Sequence, residues 1–355
     1  MDFGLSSEQT LLQDSVNRFL ADQYPLDEVR KVATGDTTDA AIWQGLAELG
    51  IPGILIPESA GGVGLGYLDA AVVAESLGHH IAPAPFLSSA VIAPTVLVGA
   101  GGHDGLLGEI ASGETRVGVA FGEAIGARLD AGITAGDGTI SGKALFVLDA
   151  GADQYLVTTA TKAIYLVAAD ASGVTRETLN TVDRTRSTAE LRFENSPATL
   201  VSDDVVVFTK ALDAGRVALA ADTLGAAQCM LDQSIEYAKQ RTQFNRVIAS
   251  FQAVKHMCAE MAAGLEPCRP MIWYAGHALD EVPEEERILA CHAKAHLSEV
   301  GYQVSRTSTE VHGGMGFTDL VGLHYWFKRI GFNRQLLGSP EMCREEAAHI
   351  QGLVA

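Results

Sequence analysis

The spacing of apolar and polar residues changes twice along the chain. From Leu5 to about Gly113, the apolar residues recur at the spacing of amphipathic helices. The apolar positions of the first helix are Leu11, Leu12, Val16, Phe19 and Leu20. Ser6 followed by Gln9 predicts a capping box at the start of this helix. The first segment of the chain is therefore predicted to be helical.

After Glu114 the helical spacing gives way to short runs rich in Val, Ile and Thr, which Gly and Asp separate. These runs are TRVGVAF, GITAGDGTISGKALFVL, QYLVTTA, AIYLVAA and ATLVSDDVVVF. Runs at roughly ten-residue spacing are typical of an antiparallel barrel or sandwich, here of about ninety residues. Helical spacing returns beyond Ala211 and lasts to the end of the chain.

These changes predict an α+β fold with three domains. Residues 1–113 form an N-terminal all-α domain, residues 114–208 a small central β-barrel or sandwich domain, and residues 209–355 a C-terminal four-helix bundle. The length of 355 residues agrees with two or three domains. A content of 47% hydrophobic against 19% charged residues excludes a disordered chain.

The net charge of −19 makes nucleic acid and anionic membranes poor candidates for partners, because such a field repels phosphate groups. The uncharged segment from Ile81 to Gly102 is long enough to resemble a membrane span. Its prolines argue against one, however. The five cysteines contain no CxxC pair and the histidines are scattered, so we expect reduced thiols and no metal site. The chain start lacks the pattern of a secretory signal, and we expect a cytoplasmic protein.

The first candidate for chemistry is the run Arg241-Thr242-Gln243-Phe244 with Gln252 shortly after it. An arginine at a bend can bind a diphosphate through two parallel hydrogen bonds. Gln252 and His256 are four residues apart and share one face of a helix that Ser250 could cap. The ordinary interpretation of Arg241 alone is a surface salt bridge.

The second candidate is the run from Val311 to Asp319, VHGGMGFTD. Gly313, Gly314 and Gly316 leave backbone amides accessible to an anion because no Cβ stands in the way. The ordinary interpretation is a helix–helix turn. The two runs together, about 60 residues apart on a helical domain that follows a β domain, point to a specific function.

With these residues in view, the chain resembles the acyl-CoA dehydrogenase flavoproteins over nearly its whole length. The runs that carry the resemblance are LAELGIPGILIPESAGGVGLGYLDAAVVAESLG, RTQFNRVIASFQAVKHMCAEM and HGGMGFT. The resemblance implies a tetramer with FAD at subunit interfaces and α,β-dehydrogenation of an acyl-CoA thioester. A carboxylate would remove the α-proton, and the β-hydrogen would leave as hydride. An electron-transfer flavoprotein is the acceptor that the family usually uses.

The resemblance assigns the flavin contacts to two halves. Arg241, Gln243, Phe244 and Gln252, with Gly313, Gly314 and Gly316, belong to the half that reaches the diphosphate and adenine of a neighbouring subunit's FAD. Asn245 stands where a glycine is usual.

In the other half, Phe146 could stack on the flavin ring, but Leu148 replaces a residue with a hydroxyl group. The segment from Gly122 to Arg128 also departs from the family pattern.

The family base is expected at one of two positions, which carry Gly215 and Leu337 here. Neither is a carboxylate. The nearby acids are Asp213, Asp319 and Glu341, of which Asp319 is the first candidate for a displaced base. A helix cap is its ordinary role.

Three hypotheses follow. The preferred one is a subunit of a heteromeric acyl-CoA dehydrogenase whose partner chain supplies the base, acting on fatty acyl or bulky thioesters such as steroid side chains. The second is a self-sufficient homotetramer with Asp319 as base. The third is a catalytically silent scaffold or CoA-binding homologue.

Overall fold

The computed structural model describes residues 4–35, 39–122 and 131–354, and it has the predicted order of helices, sheet and helices. The helices of the N-terminal part are α1 (Ser7–Gln23), α2 (Leu26–Thr34), α3 (Ala40–Glu48), α4 (Tyr67–His79), α5 (Ala93–Ala100) and α6 (Asp104–Ala111). The capping box is confirmed: the amide of Gln9 donates to Ser6 Oγ at 3.1 Å, and the amide of Ser6 donates to Gln9 Oε1 at 3.0 Å.

The uncharged segment from Ile81 to Gly102 lies mostly in the core, and its last residues, from Val98 on, reach the surface. A π-helical segment, Phe86–Ile92, is buried throughout and leads directly into α5. Among the described residues, no helix combines the length and the apolar character that a membrane span requires. The apolar run therefore serves packing between the N-terminal and C-terminal helices.

The central domain is one eight-stranded sheet in the order β6-β7-β3-β1-β4-β5-β8, with β2 paired to β3. The strands are β1 (Val117–Ala120), β2 (Gly132–Gly136), β3 (Thr139–Leu148), β4 (Gln154–Thr158), β5 (Ile164–Ala168), β6 (Val174–Thr178), β7 (Thr188–Pro197) and β8 (Thr199–Ser202). The β domain is confirmed, with one difference: β1 and β4 pair in parallel. All four residues of β1 are buried, because this strand lies in the middle of the sheet between β3 and β4.

The C-terminal part begins at α7 (Val205–Gln240), whose N-cap Asp204 accepts a hydrogen bond from the amide of Val206 at 2.8 Å. A short hairpin and five helices follow. They are β9 (Thr242–Gln243), β10 (Arg246–Val247), α8 (Gln252–Leu265), α9 (Cys268–Glu281), α10 (Glu286–His312), α11 (His324–Asn333) and α12 (Pro340–Ile350). The predicted boundary between residues 208 and 209 thus falls in the first turn of α7.

Helices α7 and α10 run side by side in the same direction. Near their beginnings, Arg216 Nη1 lies 3.3 Å from Cys291 Sγ, and near their ends the hydroxyl oxygens of Ser234 and Ser308 lie 2.7 Å apart. The C-terminal ends of the two helices therefore meet at one end of the domain.

A buried ionic network joins the three parts of the chain. Asp222 of α7 accepts hydrogen bonds from Arg329 of α11 at 2.8 and 3.1 Å, and Arg186 from the loop before β7 lies 3.0 Å from the same carboxylate. Arg329 also donates to the carbonyl of Ala82. Burial alone would raise the pKa of Asp222, but Arg186 and Arg329 outweigh it and lower that pKa to about 2. The network fixes the loop before β7 against both helical parts.

Candidate functional site

The two sequence motifs lie together at the shared end of α7 and α10. The rings of Tyr237 and His312 stack with their centroids 4.6 Å apart. Tyr237 lies one turn before Arg241, and His312 directly precedes Gly313. The stacked pair therefore places the arginine and the glycine turn side by side, although 72 positions separate Arg241 from Gly313 in the sequence.

A tight hairpin follows Arg241. Phe244 (φ 53°) and Asn245 (φ 60°) form its two-residue turn between β9 and β10. Positive φ at both positions is the geometry of a type I′ turn, and Asn tolerates it better than most residues. This explains why Asn245 can replace a glycine. The turn leaves the Phe244 side chain 86% exposed, with its ring edge toward Phe251.

The glycine turn presents bare backbone to the outside. Gly313 has φ 57° and ψ −139°, a conformation that residues with a Cβ rarely adopt. No atom of the described chain lies within 4 Å of the place where a Cβ at Gly313 or Gly314 would stand. Gly316 differs, because a Cβ there would lie 2.9 Å from the carbonyl oxygen of Thr309. Gly316 is therefore a packing requirement, and the open backbone is that of Gly313 and Gly314, although the amide of Gly313 itself donates to the carbonyl of Glu310.

Gln252 starts α8 close to this surface. Its Nε2 lies 3.4 Å from His256 Nε2, which confirms that the two residues share a helix face. The predicted cap by Ser250 is wrong: the N-cap is Phe251, and Ser250 Oγ donates to the carbonyl of Val247. A 3₁₀ turn over Ile248–Ser250 directs that hydroxyl back along the chain.

The donors of this end fit the diphosphate of a dinucleotide. They are the guanidinium of Arg241, the side-chain amides of Gln243 and Gln252, and the open backbone of Gly313 and Gly314. All five residues are exposed. Exposed apolar side chains adjoin them, with Phe244 at 86% and Phe317 at 79% exposure. Exposed apolar groups around polar donors are typical of a surface that a partner covers.

The predicted ring-stacking residue lies elsewhere, at a cleft between the sheet and the C-terminal helices. The register of β3 shifts between Ala144 and Val147, and Phe146 (φ 53°) is 38% exposed at this irregularity. The cleft encloses ≈ 620 Å³, and Phe146, Leu148, Leu179, Leu337 and Met342 are among its lining residues. It can offer an aromatic face to a flavin ring. The segment from Gly122 to Arg128, whose sequence departs from the family pattern, lies outside the described residues except for Gly122.

The two expected base positions face each other. A Cβ on Gly215 would lie 2.6 Å from Leu337 Cδ1 and 2.9 Å from Ile92 Cδ1. Leu337 is buried, and its side chain occupies the space that a carboxylate at either position would need. Sequence reasoning identified both positions but missed Ile92, for which the sequence carries no signal.

Two buried cationic side chains fix the backbone around Leu337 through hydrogen bonds to its carbonyl and to neighbouring carbonyls. Arg216 Nε donates to the carbonyl of Leu337 at 3.0 Å, and Lys294 Nζ donates to the carbonyls of Gly338 and Arg334 at 3.1 Å each. Burial lowers the pKa of Lys294 to about 8. The contacts stabilise a turn in which Leu337 itself has a positive φ of 55°. A single lysine in a long helix gave no indication of this role.

Three possible metal ligands surround Arg216. Atoms of Asp213, Cys291 and Glu346 lie within 4.8 Å of one another. The guanidinium donates to all three, at 3.3 Å to Asp213 and Cys291 and at 2.9 Å to Glu346. The cluster is centred on an arginine, whose positive charge stands where a cation would be. Burial raises the pKa of Asp213 to about 7 despite the neighbouring Arg216.

The remaining acids lie away from the Phe146 cleft. Asp319 is exposed, and its carboxylate lies 3.0 Å from His324 Nε2. Glu341 is exposed at the start of α12 and accepts from Arg334 at 3.1 Å. Neither is among the described residues that line the cleft. Asp319 does not cap α11, whose N-cap is Leu323.

The contact between positions 215 and 337 predicts energetic coupling. Gly215→Ala should cost up to about 2 kcal/mol of the free energy of unfolding, because overpacking outweighs the better helix propensity of Ala. In a Leu337→Ala background the same change should be close to neutral, because the better helix propensity of Ala then offsets the remaining contact with Ile92. Urea denaturation of the four variants measures a coupling energy of about 1–2 kcal/mol.

Gly264→Ala in α8 is the matched control, since a Cβ there meets only Val300 Cγ1, at 3.7 Å. Its effect should be the same with Leu or Ala at position 337. Additivity of Gly215→Ala and Leu337→Ala within about 0.5 kcal/mol would contradict the contact.

Comparison with known proteins shows the family of the chain. Residues 6–104 match the model of the acyl-CoA dehydrogenase N-terminal domain, and residues 205–350 match that of the C-terminal domain. The acyl-CoA dehydrogenase IpdE2 of Mycobacterium tuberculosis is 31% identical over 341 residues, which cover 94% of each chain.

Two solved structures are similar over the whole chain. The first is the Tcur3481-Tcur3483 steroid ACAD G363A variant, with a TM-score of 0.88, 29% identity and coverage of 98% of each chain. The second is the ChsE4-ChsE5 complex from Mycobacterium tuberculosis, with a TM-score of 0.89, 26% identity and coverage of 100% of each chain. The chain therefore belongs to the acyl-CoA dehydrogenase family, whose members are FAD-dependent oxidoreductases acting on CH–CH bonds, as its sequence predicts.

Proposed function

We propose that this chain is one subunit of a heteromeric acyl-CoA dehydrogenase, in which a related but unlike chain supplies the base and the flavin-ring half of the site. The observation that carries the proposal is the contact of Leu337 with Gly215. Neither expected base position carries a carboxylate, and apolar atoms fill the space between the two positions. The chain's own copy of the site therefore lacks the group that would remove the α-proton.

The distance on this chain between the expected base position at Gly215 and the diphosphate end at Arg241 supports the same arrangement. Gly215 and Arg241 belong to α7 and its C-cap, and the helix is continuous between them. The 26 residues from 215 to 241 correspond to about 39 Å at 1.5 Å per residue. One FAD molecule cannot have its ring beside Gly215 and its diphosphate on Arg241 of the same chain. The Arg241 end serves a cofactor whose ring lies in another subunit.

The role of the chain's own residues follows from their chemistry. The fixed positive charge of Arg241 binds the diphosphate, and the open backbone of Gly313 and Gly314 lets the dinucleotide approach closely. Gln243 and Gln252 add neutral donors at the same end. FAD, when bound there, supplies hydride acceptance from the β-carbon of the thioester. Holding the dinucleotide tail fixes the position of the ring against the partner's base.

The names of the similar proteins support the class of complex and substrate. Two solved structures carry paired names, Tcur3481-Tcur3483 and ChsE4-ChsE5, and the first is called a steroid ACAD. By analogy, we propose a bulky thioester such as a steroid side chain, or a fatty acyl-CoA, as substrate. An electron-transfer flavoprotein is the proposed acceptor. The alternative of a silent scaffold would be favoured by a complex that is colourless with every partner.

Arg241→Gln tests the diphosphate half. In the complex with its genomic neighbour, this variant should lower FAD affinity at least tenfold, because a charge-assisted hydrogen bond contributes about 1.5–3 kcal/mol. Flavin fluorescence titration of the apo-complex measures the change. Lys239→Gln is the control, since this exposed lysine two residues away pairs with Glu236. Equal affinity for Arg241→Gln and Lys239→Gln would refute the assignment of Arg241.

Asp319→Asn separates the heteromeric enzyme from the self-sufficient one. Asp319 is exposed and paired with His324, so we expect turnover in the mixed complex to stay within about twofold of the unmodified enzyme. Acyl-CoA-dependent reduction of an artificial acceptor is the assay. If turnover disappears while bound flavin is unchanged, Asp319 is the base and the self-sufficient alternative is correct.

A further inference from the structure

A second cleft, of ≈ 500 Å³, lies between the end of α2 and the edge of the sheet around β6. Residues 179–181 line both this cleft and the cleft beside Phe146. None of the described residues that line the second cleft belongs to the Arg241 end. Four guanidinium groups line it, in a chain with only 25 basic against 44 acidic residues. They are Arg116, Arg176, Arg184 and Arg186.

Two of these arginines are neutralised and fixed. Arg116 donates to both carboxylate oxygens of Asp39 at 2.9 Å each and to Asp149 at 2.6 and 2.9 Å. Arg186 is held by Asp222 in the buried network, 3.0 Å away. These pairs make a rigid, charge-balanced wall.

The other two arginines keep their charge available. Arg176 and Arg184 are exposed, and neither forms an ion pair with any residue in the described ranges. Arg176 Nη1 donates to the hydroxyl of Tyr155 at 3.2 Å, a neutral partner that orients the guanidinium without neutralising it.

The acids of the lining are already engaged. Asp39 is bound to Arg116, and Asp183 Oδ1 accepts from the amide and the hydroxyl of Thr185 at 2.8 and 2.6 Å. Asp183 Oδ2 lies 4.0 Å from Arg186 Nε, on the side of the fixed arginines. Among the described lining residues, four guanidinium groups stand against two carboxylates, and this excess of positive charge attracts an anion.

We infer that this cleft binds a phosphorylated small molecule, with the phosphate between Arg176 and Arg184. Guanidinium groups present planar pairs of donors that match phosphate oxygens. Thr178, Asn180 and Ser187 also line the cleft and offer neutral polar groups for the rest of the ligand. The volume lies within the range of about 300–1,000 Å³ that is usual for small-molecule sites. The inference does not depend on the proposed heteromeric function.

Isothermal titration with inorganic pyrophosphate tests the inference on the full-length chain carrying Arg241→Gln, a change that removes the proposed diphosphate donor of the other end. The expected result is one site per chain, weaker at 200 than at 50 mM salt. The double variant Arg176→Gln/Arg184→Gln should lower the affinity at least tenfold. Lys239→Gln/Arg306→Gln removes the same charge from exposed helix surfaces and should stay within twofold of the chain that carries Arg241→Gln alone.

A second titration with CoA identifies the source of the phosphate. CoA binding that the Arg176/Arg184 variant weakens would mean that the cleft takes the nucleotide end of a thioester. If the double variant loses pyrophosphate binding but binds CoA as before, the cleft takes a phosphorylated ligand other than CoA. No binding of pyrophosphate, or equal loss in both double variants, would overturn the inference. Unchanged far-ultraviolet circular dichroism and melting temperature show that the variants are folded.

Discussion

The side chain of Leu337 packs on the bare backbone of Gly215, and the proposed division of the catalytic site between unlike chains depends on this contact. A Cβ at position 215 would stand 2.6 Å from Leu337 Cδ1, so Leu337 in this place requires a glycine at position 215. Arg216 and Lys294 bind the carbonyls of Leu337 and its neighbour, which keeps the leucine in place. A carboxylate at either position would have to displace an apolar side chain from a buried place.

Helix α7 links this blocked position to the functional end of the chain. It carries Gly215 in its first half and leads directly into Arg241. Because α10 runs beside it in the same direction, Gly313 lies at that end as well. In the proposed enzyme, the two ends of this one helix belong to two different copies of the site. A chain built in this way can lose one copy and still serve the other.

Much of this organisation could be predicted from the sequence, because it depends on local patterns. The change from helical spacing to short β runs and back fixed the order of the domains, and Ser6 with Gln9 marked a helix start. The pairing of Arg241 with Gly313 followed from resemblance and is consistent with the stacking of Tyr237 on His312. The site roles of these residues remain predictions.

Other features depend on distant contacts that a local pattern does not encode. The parallel pairing of β1 with β4 arises from the central place of β1 in the sheet. Lys294 acts on a turn more than forty residues away. The four arginines of the second cleft come from β6, from the loop before β7 and from the residue before β1. In each case the residue type is ordinary, and only its three-dimensional neighbours give it a role.

The most direct test of the shared site is the amount of flavin bound per chain. The visible spectrum of the purified chain, alone and mixed with its genomic neighbour, measures it together with the protein concentration. We predict a colourless chain alone and one FAD per pair of unlike chains in the mixture, with bleaching when an acyl-CoA is added. One FAD per chain in the lone protein, bleached by an acyl-CoA, would contradict the account.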